Sequence, residues 1–238
     1  MENSAFVNQV RGLSVADSLP SERAAFIRKT YLHLAGAVAL FSAIVGYLIS
    51  SGRGAWIAST MLSGPYSWLI VLAAFMGVSW IAQRWAMSGS SKYMQYMGLL
   101  LFTLAESIIF LPLLFLAAIQ SDGLNMIFQA GVVTGGLFLG LTAVVFLTRT
   151  DFSFLGPILA IGGFVAMGFI VSGILFGFGL GSIFAFVMVA FAGGAILYET
   201  SNMLHRYRTD QHVAASLGLF ASVALLFWYI LQIFMSRD

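Results

Sequence analysis

The sequence contains no cysteine and very few charged residues. Its 238 residues include 11 lysines and arginines and 9 aspartates and glutamates, so that 8% of the chain is charged. Soluble globular domains have about 25% charged residues, and this chain therefore has too little charge to cover the surface of a soluble protein. The lack of cysteine excludes disulfide frameworks, thiolate zinc sites, cysteine nucleophiles and cysteine palmitoylation.

Apolar residues take the place of the missing charge and make up 60% of the chain. The usual apolar share of a soluble domain is about 45–50%. This composition excludes a soluble enzyme and a disordered protein. It also excludes a nucleic-acid-binding protein, in spite of the net charge of +2. Most of the chain must be solvated by lipid, so the bilayer is the first partner that the sequence predicts.

Seven apolar stretches of about 20 residues follow a polar N-terminal segment, and a helix of that length crosses about 30 Å of hydrocarbon. Lipid offers no partners to backbone groups, so the spans must be helical. We predict an all-α, polytopic membrane protein, with a cytoplasmic tail at residues 1–26 and a seven-helix transmembrane bundle at residues 27–238. Since only three residues separate the fifth and sixth spans, one long buried hairpin is the alternative there. The predicted spans are Tyr31–Ser50, Trp68–Ala86, Tyr93–Ala118, Asn125–Leu147, Phe154–Phe176, Leu180–Tyr198 and Val213–Met235.

The basic residues predict the orientation of these spans. Cytoplasmic segments of membrane proteins carry an excess of lysine and arginine. With the N-terminus inside and the C-terminus outside, the outer side carries Arg53 and Arg237. The inner side then carries Arg11, Arg23, Arg28, Lys29, Arg84, Lys92, Arg149, Arg206 and Arg208. Nine basic residues against two favour this orientation over its inverse.

The predicted spans lack the residues that several intramembrane chemistries require. The seventh span has no lysine for a retinal Schiff base, no span contains the aspartates of an aspartyl protease, and the Gly-x-Ser-Gly setting of a rhomboid-type serine is missing. The three histidines, His33, His205 and His212, are too scattered in sequence to predict a metal site. We therefore expect that the protein is not an enzyme and holds no resident metal or cofactor.

Glycine is frequent, with 25 residues, and several glycines recur at four-residue spacing in the later spans. That spacing places small residues on one helix face, where two backbones can approach closely. We expect these glycines to pack helices within the bundle, and a dimer interface is the alternative. The spaced glycines are Gly131 and Gly135, Gly136 and Gly140, and Gly173, Gly177 and Gly181.

Glu106 lies near the centre of the third predicted span, in the stretch LFTLAESIIFLP. A charged carboxylate at that depth costs about 2.5–3.5 kcal/mol on insertion scales. We therefore expect Glu106 to be protonated, or to face a partner or a water-filled cavity inside the bundle. Two interpretations stay open: a neutral glutamic acid that bonds to a neighbouring helix, or a group that handles ions or protons.

Three further charged residues lie where predicted spans begin or end. Glu199 follows the sixth span at the inner interface, where a carboxylate can pair with Arg206. Arg84 lies at the inner end of the second span, where its long side chain can reach the interface. Asp151 precedes the fifth span and is followed by Ser153, an arrangement typical of an N-cap. Each of these residues has this structural interpretation beside a functional one.

Four stretches of the chain resemble the Bax inhibitor-1 family, also called the transmembrane Bax inhibitor motif family. The most specific is GAILYETSNMLHRY at Gly194–Tyr207, which resembles the end of the family's sixth helix with its Leu-Tyr-acidic-Thr-Ser motif. TRTDFSFLG at Thr148–Gly156 is similar to the loop before the fifth helix, and Ala214–Phe234 is similar to the final helix. RKTYLHLAGAV also fits the start of the first span. The resemblance implies the same seven-span fold over nearly the whole chain.

Members of that family are implicated in calcium or proton leak, in stress and cell-death regulation and, in bacteria, in modulation of a membrane protease. Calcium-leak members have a pH-sensitive pair of carboxylates on the sixth and seventh helices. The resemblance places the first at Glu199, with Glu in place of the common Asp, and the second at Ser222. Two close carboxylates share a proton and titrate as a coupled pair, which a carboxylate facing a serine cannot do. Ser222 and the setting of Glu106 resemble bacterial members.

The resemblance implies two main functions. The first is a pH-sensitive calcium or cation leak channel linked to stress regulation, with Glu106 in the pathway, Glu199 at the gate, and Arg84 as a latch for Glu199. Calcium prefers six to eight oxygen ligands, so Glu199 is expected to bind it only transiently, as a permeant ion. Asp151 is expected to be structural, in the loop that seats the fifth helix.

The second function is that of a non-transporting regulator, which binds a membrane protease or another membrane protein through its helix faces. The serine at position 222 favours this alternative. Proton leak through Glu106 is a third possibility. In each case the expected location is the inner (plasma) membrane of a bacterial cell. The oligomeric state is left open by the sequence.

Overall fold

The computed structural model describes residues 14–64, 66–89 and 91–236 of the chain. Regular structure in these ranges is helical, apart from one isolated bridge between Ser14 and Arg208. The helices are α1 (Pro20–Ser50), α2 (Arg53–Met61), α3 (Ser67–Ala86), α4 (Lys92–Ile109), α5 (Leu111–Ala118), α6 (Gly123–Thr148), α7 (Leu155–Phe176), α8 (Gly181–His205) and α9 (His212–Met235).

The number of membrane spans agrees with the prediction. Six of the described helices are long and apolar enough to cross a membrane: α1, α3, α6, α7, α8 and α9. The third predicted span is divided into α4 and α5, which meet at an angle of 44° and make the count seven when they are taken as one span. Pro112 lies in the first turn of α5 and has no N–H to continue the ladder of α4, which accounts for the bend at Phe110. The all-α, polytopic bundle is confirmed.

Two helical features near the N-terminus go beyond the sequence prediction, while the boundary at residue 26 between tail and membrane domain stays a prediction. Helix α1 begins at Pro20, inside the segment that was predicted to be a tail, because proline is well suited to a first helical position. Residues 1–13 of that predicted tail lie outside the described residues. Helix α2 was not predicted, since its nine residues are too short to give a span signal; it packs against α1 and α5.

The fifth and sixth predicted spans form two separate helices, each long enough to cross a membrane. The turn between α7 and α8 is closed by Gly177 at φ 71° and Gly181 at φ 68°. These values lie in the left-handed region, which glycine enters without steric cost. The single-hairpin alternative is therefore not needed.

Helix α9 forms the centre of the bundle and α7 lies at its edge. Fifteen residues of α9 are buried, and the helix packs against α1, α4, α6 and α8. In α7, the buried residue is Ala166, and the helix packs mainly against α8. Side chains on α9 can therefore contact most of the bundle, which places any central site along this helix.

The glycine prediction is wrong for α6. A Cβ atom added to Gly131, Gly135, Gly136 or Gly140 would meet no other atom within 4 Å. Four-residue spacing defines a face of a helix, but it does not determine whether a neighbouring helix occupies that face. The close approach occurs instead at Gly98 of α4, where an added Cβ would lie 2.5 Å from the carbonyl oxygen of Ala82 in α3. The dimer alternative stays a prediction.

Candidate functional site

A cavity of about 920 Å³ lies between α3, α4, α7, α8 and α9. We call the end of the bundle at which α9 terminates the outer end, in keeping with the predicted orientation, and the opposite end the inner end. Since consecutive spans run in opposite directions, Trp68, Ser182 and Ser236 mark the outer limit of the cavity. Its inner limit is formed by Gln83 and Ala221. The cavity therefore enters the bundle from the outer end and stops inside it.

Glu106 lies on the wall of this cavity and is only 6% exposed. Among the described residues, its carboxyl group has no hydrogen-bond or ion-pair partner. The hydroxyl of Ser79 on α3, which also lines the cavity, is buried and unpartnered as well. Buried polar groups are normally satisfied by protein or by ordered water. The cavity is therefore lined by two unsatisfied polar groups that could bind water, a proton or a cation inside it.

Below the cavity, toward the inner end, Glu199 is packed between a glycine and a tyrosine. A Cβ atom added to Gly218 of α9 would lie 2.7 Å from Oε2 of Glu199, so the carboxylate occupies the space that a larger residue would fill. The hydroxyl of Tyr207 donates a hydrogen bond of 3.5 Å to the same oxygen. Burial, followed by the negative charge of Glu199, holds the pKa of the Tyr207 phenol above its usual range. The phenol therefore remains a donor at physiological pH.

The N-terminal segment is hydrogen-bonded to the residue that donates to Glu199. The backbone N–H of Val15 donates to the carbonyl oxygen of Tyr207 at 2.9 Å, and the Val15 side chain is fully buried. Nε of Arg23 donates in turn to the carbonyl oxygen of Val15 at 3.1 Å. These contacts hold the backbone of the residue whose phenol donates to Glu199.

Ser222 lies one helical turn from Gly218 on α9. Its hydroxyl donates to the carbonyl oxygen of Gly218 at 3.0 Å, and the side chain is buried. Residues four apart share a helix face, so Ser222 and Gly218 lie on the same side of α9. The structure therefore brings Ser222 to the neighbourhood of Glu199, through the glycine that touches its carboxylate.

Arg84 does not form the predicted latch. The described residues include no ion pair between Arg84 and Glu199; the guanidinium group instead lies 5.6 Å from the ring centroid of Trp80 on its own helix. Arg84 is exposed. The physical reason is the packing order: α3 packs mainly against α4, whereas α8 packs against α9, α6 and α7. The partner of Glu199 is the Tyr207 hydroxyl.

Asp151 does not cap the helix that follows it, because α7 begins only at Leu155. Its Oδ1 atom accepts hydrogen bonds from the backbone N–H of Ser153 at 2.9 Å and from the hydroxyl of Ser201 at 3.3 Å. The bond from Ser153 is the main reason why the pKa of Asp151 lies below its usual value. The hydroxyl of Ser201 also accepts from the backbone N–H of Phe152 at 2.9 Å. The N-cap prediction is wrong, and Asp151 joins the loop before α7 to α8.

Within the ranges that the structure describes, no three histidine, aspartate or glutamate side chains converge in a way that would hold a metal ion. Transient calcium binding at Glu199 stays a prediction. Sequence reasoning missed Val15, Tyr207 and Gly218 as members of the site. Tyr207 ends the most specific of the family-like stretches, which was a signal for it, whereas Val15 stands in a polar segment and gave none.

The comparisons with known proteins agree with this architecture. The family model described as inhibitor of apoptosis-promoting Bax1 matches residues 23–238. Bax inhibitor 1 of Schizosaccharomyces pombe is 30% identical, over 98% of this chain and 84% of its own length. An uncharacterized protein of Pseudomonas aeruginosa is 29% identical over 87% of each chain.

A Golgi anti-apoptotic protein of vaccinia virus is 27% identical, over 93% of this chain and 90% of its own. No solved structure gives a significant match. The family model covers nearly all of the residues that form the bundle, from the first turn of α1 through the described end of α9. The chain belongs to the Bax inhibitor-1 family.

Proposed function

We propose that this protein is a pH-sensitive cation leak channel, with calcium as a permeant ion and with a role in stress regulation. The observation that carries the proposal is the cavity of about 920 Å³ that enters from the outer end and reaches the unpartnered carboxyl group of Glu106. A carboxylate that faces a water-accessible cavity inside a bundle is suited to a cation or proton pathway. Glu106 is accordingly the ion-binding group on the wall of the cavity, which forms the outer half of the proposed pathway.

The gate of the proposed channel is the packed layer around Glu199. Charged Glu199 accepts a long hydrogen bond of 3.5 Å from Tyr207, and the charge on the acceptor strengthens that bond relative to a neutral one. Protonation removes the charge and weakens the bond that joins α8 to the segment after it. The leak is therefore expected to increase on acidification, with Tyr207 replacing Arg84 as the partner that holds the closed state.

The test is calcium flux into dye-loaded proteoliposomes between about pH 5 and pH 8, an interval that lies above the usual pKa of glutamate. The parent protein is expected to conduct more as the pH falls. Glu199→Gln is expected to conduct equally at every pH, because it cannot change its charge. Asp122→Asn, which removes a carboxylate from an exposed loop, is the matched control and should behave as the parent.

Absence of flux in the parent at every pH would eliminate the channel. The better account would then be a non-transporting regulator that binds a membrane protease or another membrane protein. The open space beside Gly131 and Gly135 on α6 favours that second function, since a partner helix can approach closely there. Co-purification from native membranes, with Gly131→Leu as the variant that fills this space, tests it.

We also propose that the N-terminus lies inside and the C-terminus outside, in the inner membrane of a bacterial cell. The excess of basic residues on the predicted inner side supports this orientation. A reporter that is active only outside the cytoplasm should be active when it is fused after residue 238. A fused reporter that is active in the cytoplasm would contradict this orientation, and the cavity would then open to the cytoplasmic side.

A further inference from the structure

A cluster of aromatic and basic side chains lies at the inner end, between α1, α4 and α9, away from Glu106 and Glu199. The ring of His33 stacks on Tyr96, with centroids 5.4 Å apart, and meets His212 edge-on at 5.1 Å. Nδ1 of His33 lies 2.7 Å from the carbonyl oxygen of Lys29 and so donates its proton there. Three helices thus fix the position of the two imidazole rings.

The cluster has an excess of positive charge and an unsatisfied donor or acceptor. His212 is only 7% exposed, and its Nδ1 atom has no hydrogen-bond partner among the described residues. Lys29 and Lys92 lie within electrostatic range of His212. In the part of the chain that the structure describes, the acidic residue within that range is Asp210, which forms an ion pair with Arg208 at 3.4 Å. A buried, unpartnered polar atom among basic residues is suited to an anion.

An apolar groove begins at this cluster. A cavity of about 270 Å³ follows α1 and α4 from His33 and Tyr96 toward Leu40 and Thr103. Its floor is open at Gly36, where an added Cβ would meet no atom within 4 Å. Both helices begin at the inner end, so the groove runs from the predicted membrane interface toward the hydrocarbon core.

We propose that this cluster and groove bind one anionic phospholipid of the inner leaflet. The phosphate would lie between Lys29, Lys92 and the imidazole of His212, and one acyl chain would lie in the groove over Gly36. Charge complementarity selects the anionic headgroup, and the apolar groove beside it selects a molecule that carries its own hydrocarbon chain. A soluble phosphate would occupy the cluster and leave the groove empty, and a zwitterionic lipid would bring a cationic group next to the basic cluster.

The site is tested by native mass spectrometry of the purified full chain with phosphatidylglycerol, compared with phosphatidylcholine of the same acyl chains. Phosphatidylglycerol should bind the parent more tightly. Lys29→Gln and Lys92→Gln should each weaken its binding about five-fold, the value expected for one basic residue at an anionic membrane surface. Arg149→Gln removes an equal charge from another inner-end loop and should leave the binding unchanged.

The variant Gly36→Leu distinguishes a lipid whose acyl chain lies in the groove from a lipid that is attracted to the basic residues by charge alone. The leucine fills the groove without changing the charge, and the open space at Gly36 allows the variant to fold. It should weaken phosphatidylglycerol binding while the melting temperature in detergent stays at the parent value. An equal loss in Arg149→Gln, or no loss in Gly36→Leu, would overturn the proposal. Displacement of the lipid by millimolar inorganic phosphate would overturn it in favour of a soluble-anion site.

Discussion

Glu106 and Glu199 are both carboxyl groups inside an apolar bundle, but their surroundings are opposite. Glu106 faces a cavity of about 920 Å³ and has no partner among the described residues. Glu199 touches the backbone of Gly218 and accepts a hydrogen bond from Tyr207. The region around Glu106 leaves free space beside the carboxyl group, whereas the region around Glu199 fills that space with protein atoms.

The difference separates two functions that a buried acid can have. An acid with free space around it can exchange protons or cations with that space. An acid that is packed against a neighbouring helix instead couples its charge to the position of that helix. In the proposed channel, Glu106 therefore belongs to the pathway and Glu199 to the gate, and the two should respond differently to the same substitution.

Glu106→Gln should have the largest effect of the predicted changes. Glutamine keeps the shape and hydrogen-bonding capacity of the side chain but cannot exchange a proton, so the fold should be retained and acid-stimulated flux should be lost at every pH. Glu199→Gln, by contrast, should remain conductive. Calcium-dye and pH-dye flux in proteoliposomes measures both variants. A parent-like pH response in Glu106→Gln would reduce Glu106 to a packing residue.

Hydropathy and length predicted most of the fold, because lipid leaves the backbone few alternatives. The predicted span Trp68–Ala86 differs from α3 by one residue, and Val213–Met235 differs from α9 by one. The same signals could not distinguish the central α9 from the peripheral α7. Both are apolar along their whole length, and only tertiary packing decides which one is surrounded by protein.

The candidate site was predictable only in part. A carboxylate in mid-span identified Glu106 from its cost in lipid, and the family resemblance identified Glu199 and Ser222. The partner of Glu199 was not predictable from charge. Among the described residues, neither of the two basic residues expected beside it, Arg206 and Arg84, forms an ion pair with it, and Arg84 lies on a helix that packs elsewhere. The actual partner is a neutral hydroxyl beyond the end of α8, and charge counting does not detect it.

Gly218→Ala should break the packing around Glu199. The added methyl group would lie 2.7 Å from Oε2, and the flexible carboxylate would move away from Tyr207. A hydrogen bond to a charged group contributes about 1.5 kcal/mol at the low end, so flux at neutral pH should rise about tenfold. Gly131→Ala, where the added atom meets open space, is the matched control. Unchanged flux in Gly218→Ala would show that the gate lies elsewhere.

Ser222→Asp should restore a second carboxylate on the face of α9 that contacts Glu199. Two close carboxylates disfavour being charged together, so the pH midpoint of the flux should move upward by roughly one unit. Ser222→Asn, which has a similar size and no charge, should leave the midpoint unchanged. Equal midpoints for the two variants would mean that position 222 does not sense the charge of Glu199.

Asp151 offers a third carboxylate, exposed at the inner end, and should give the smallest effect. Its pKa is held below the usual value chiefly by the backbone N–H of Ser153, so the charged form stabilises the fold. Asp151→Asn keeps the acceptor atom and loses the charge, and solvent screening keeps the resulting drop in melting temperature small. The difference from the parent should be present at neutral pH. This difference should shrink as the pH falls below the unfolded-state pKa of about 3.9 and vanish once Asp151 is protonated in the folded state.

The pH profile of the flux should not change in Asp151→Asn, because this carboxylate faces neither the cavity nor Tyr207. A shifted profile in Asp151→Asn would extend the gate to the loop before α7 and end the simple division between Glu106 and Glu199.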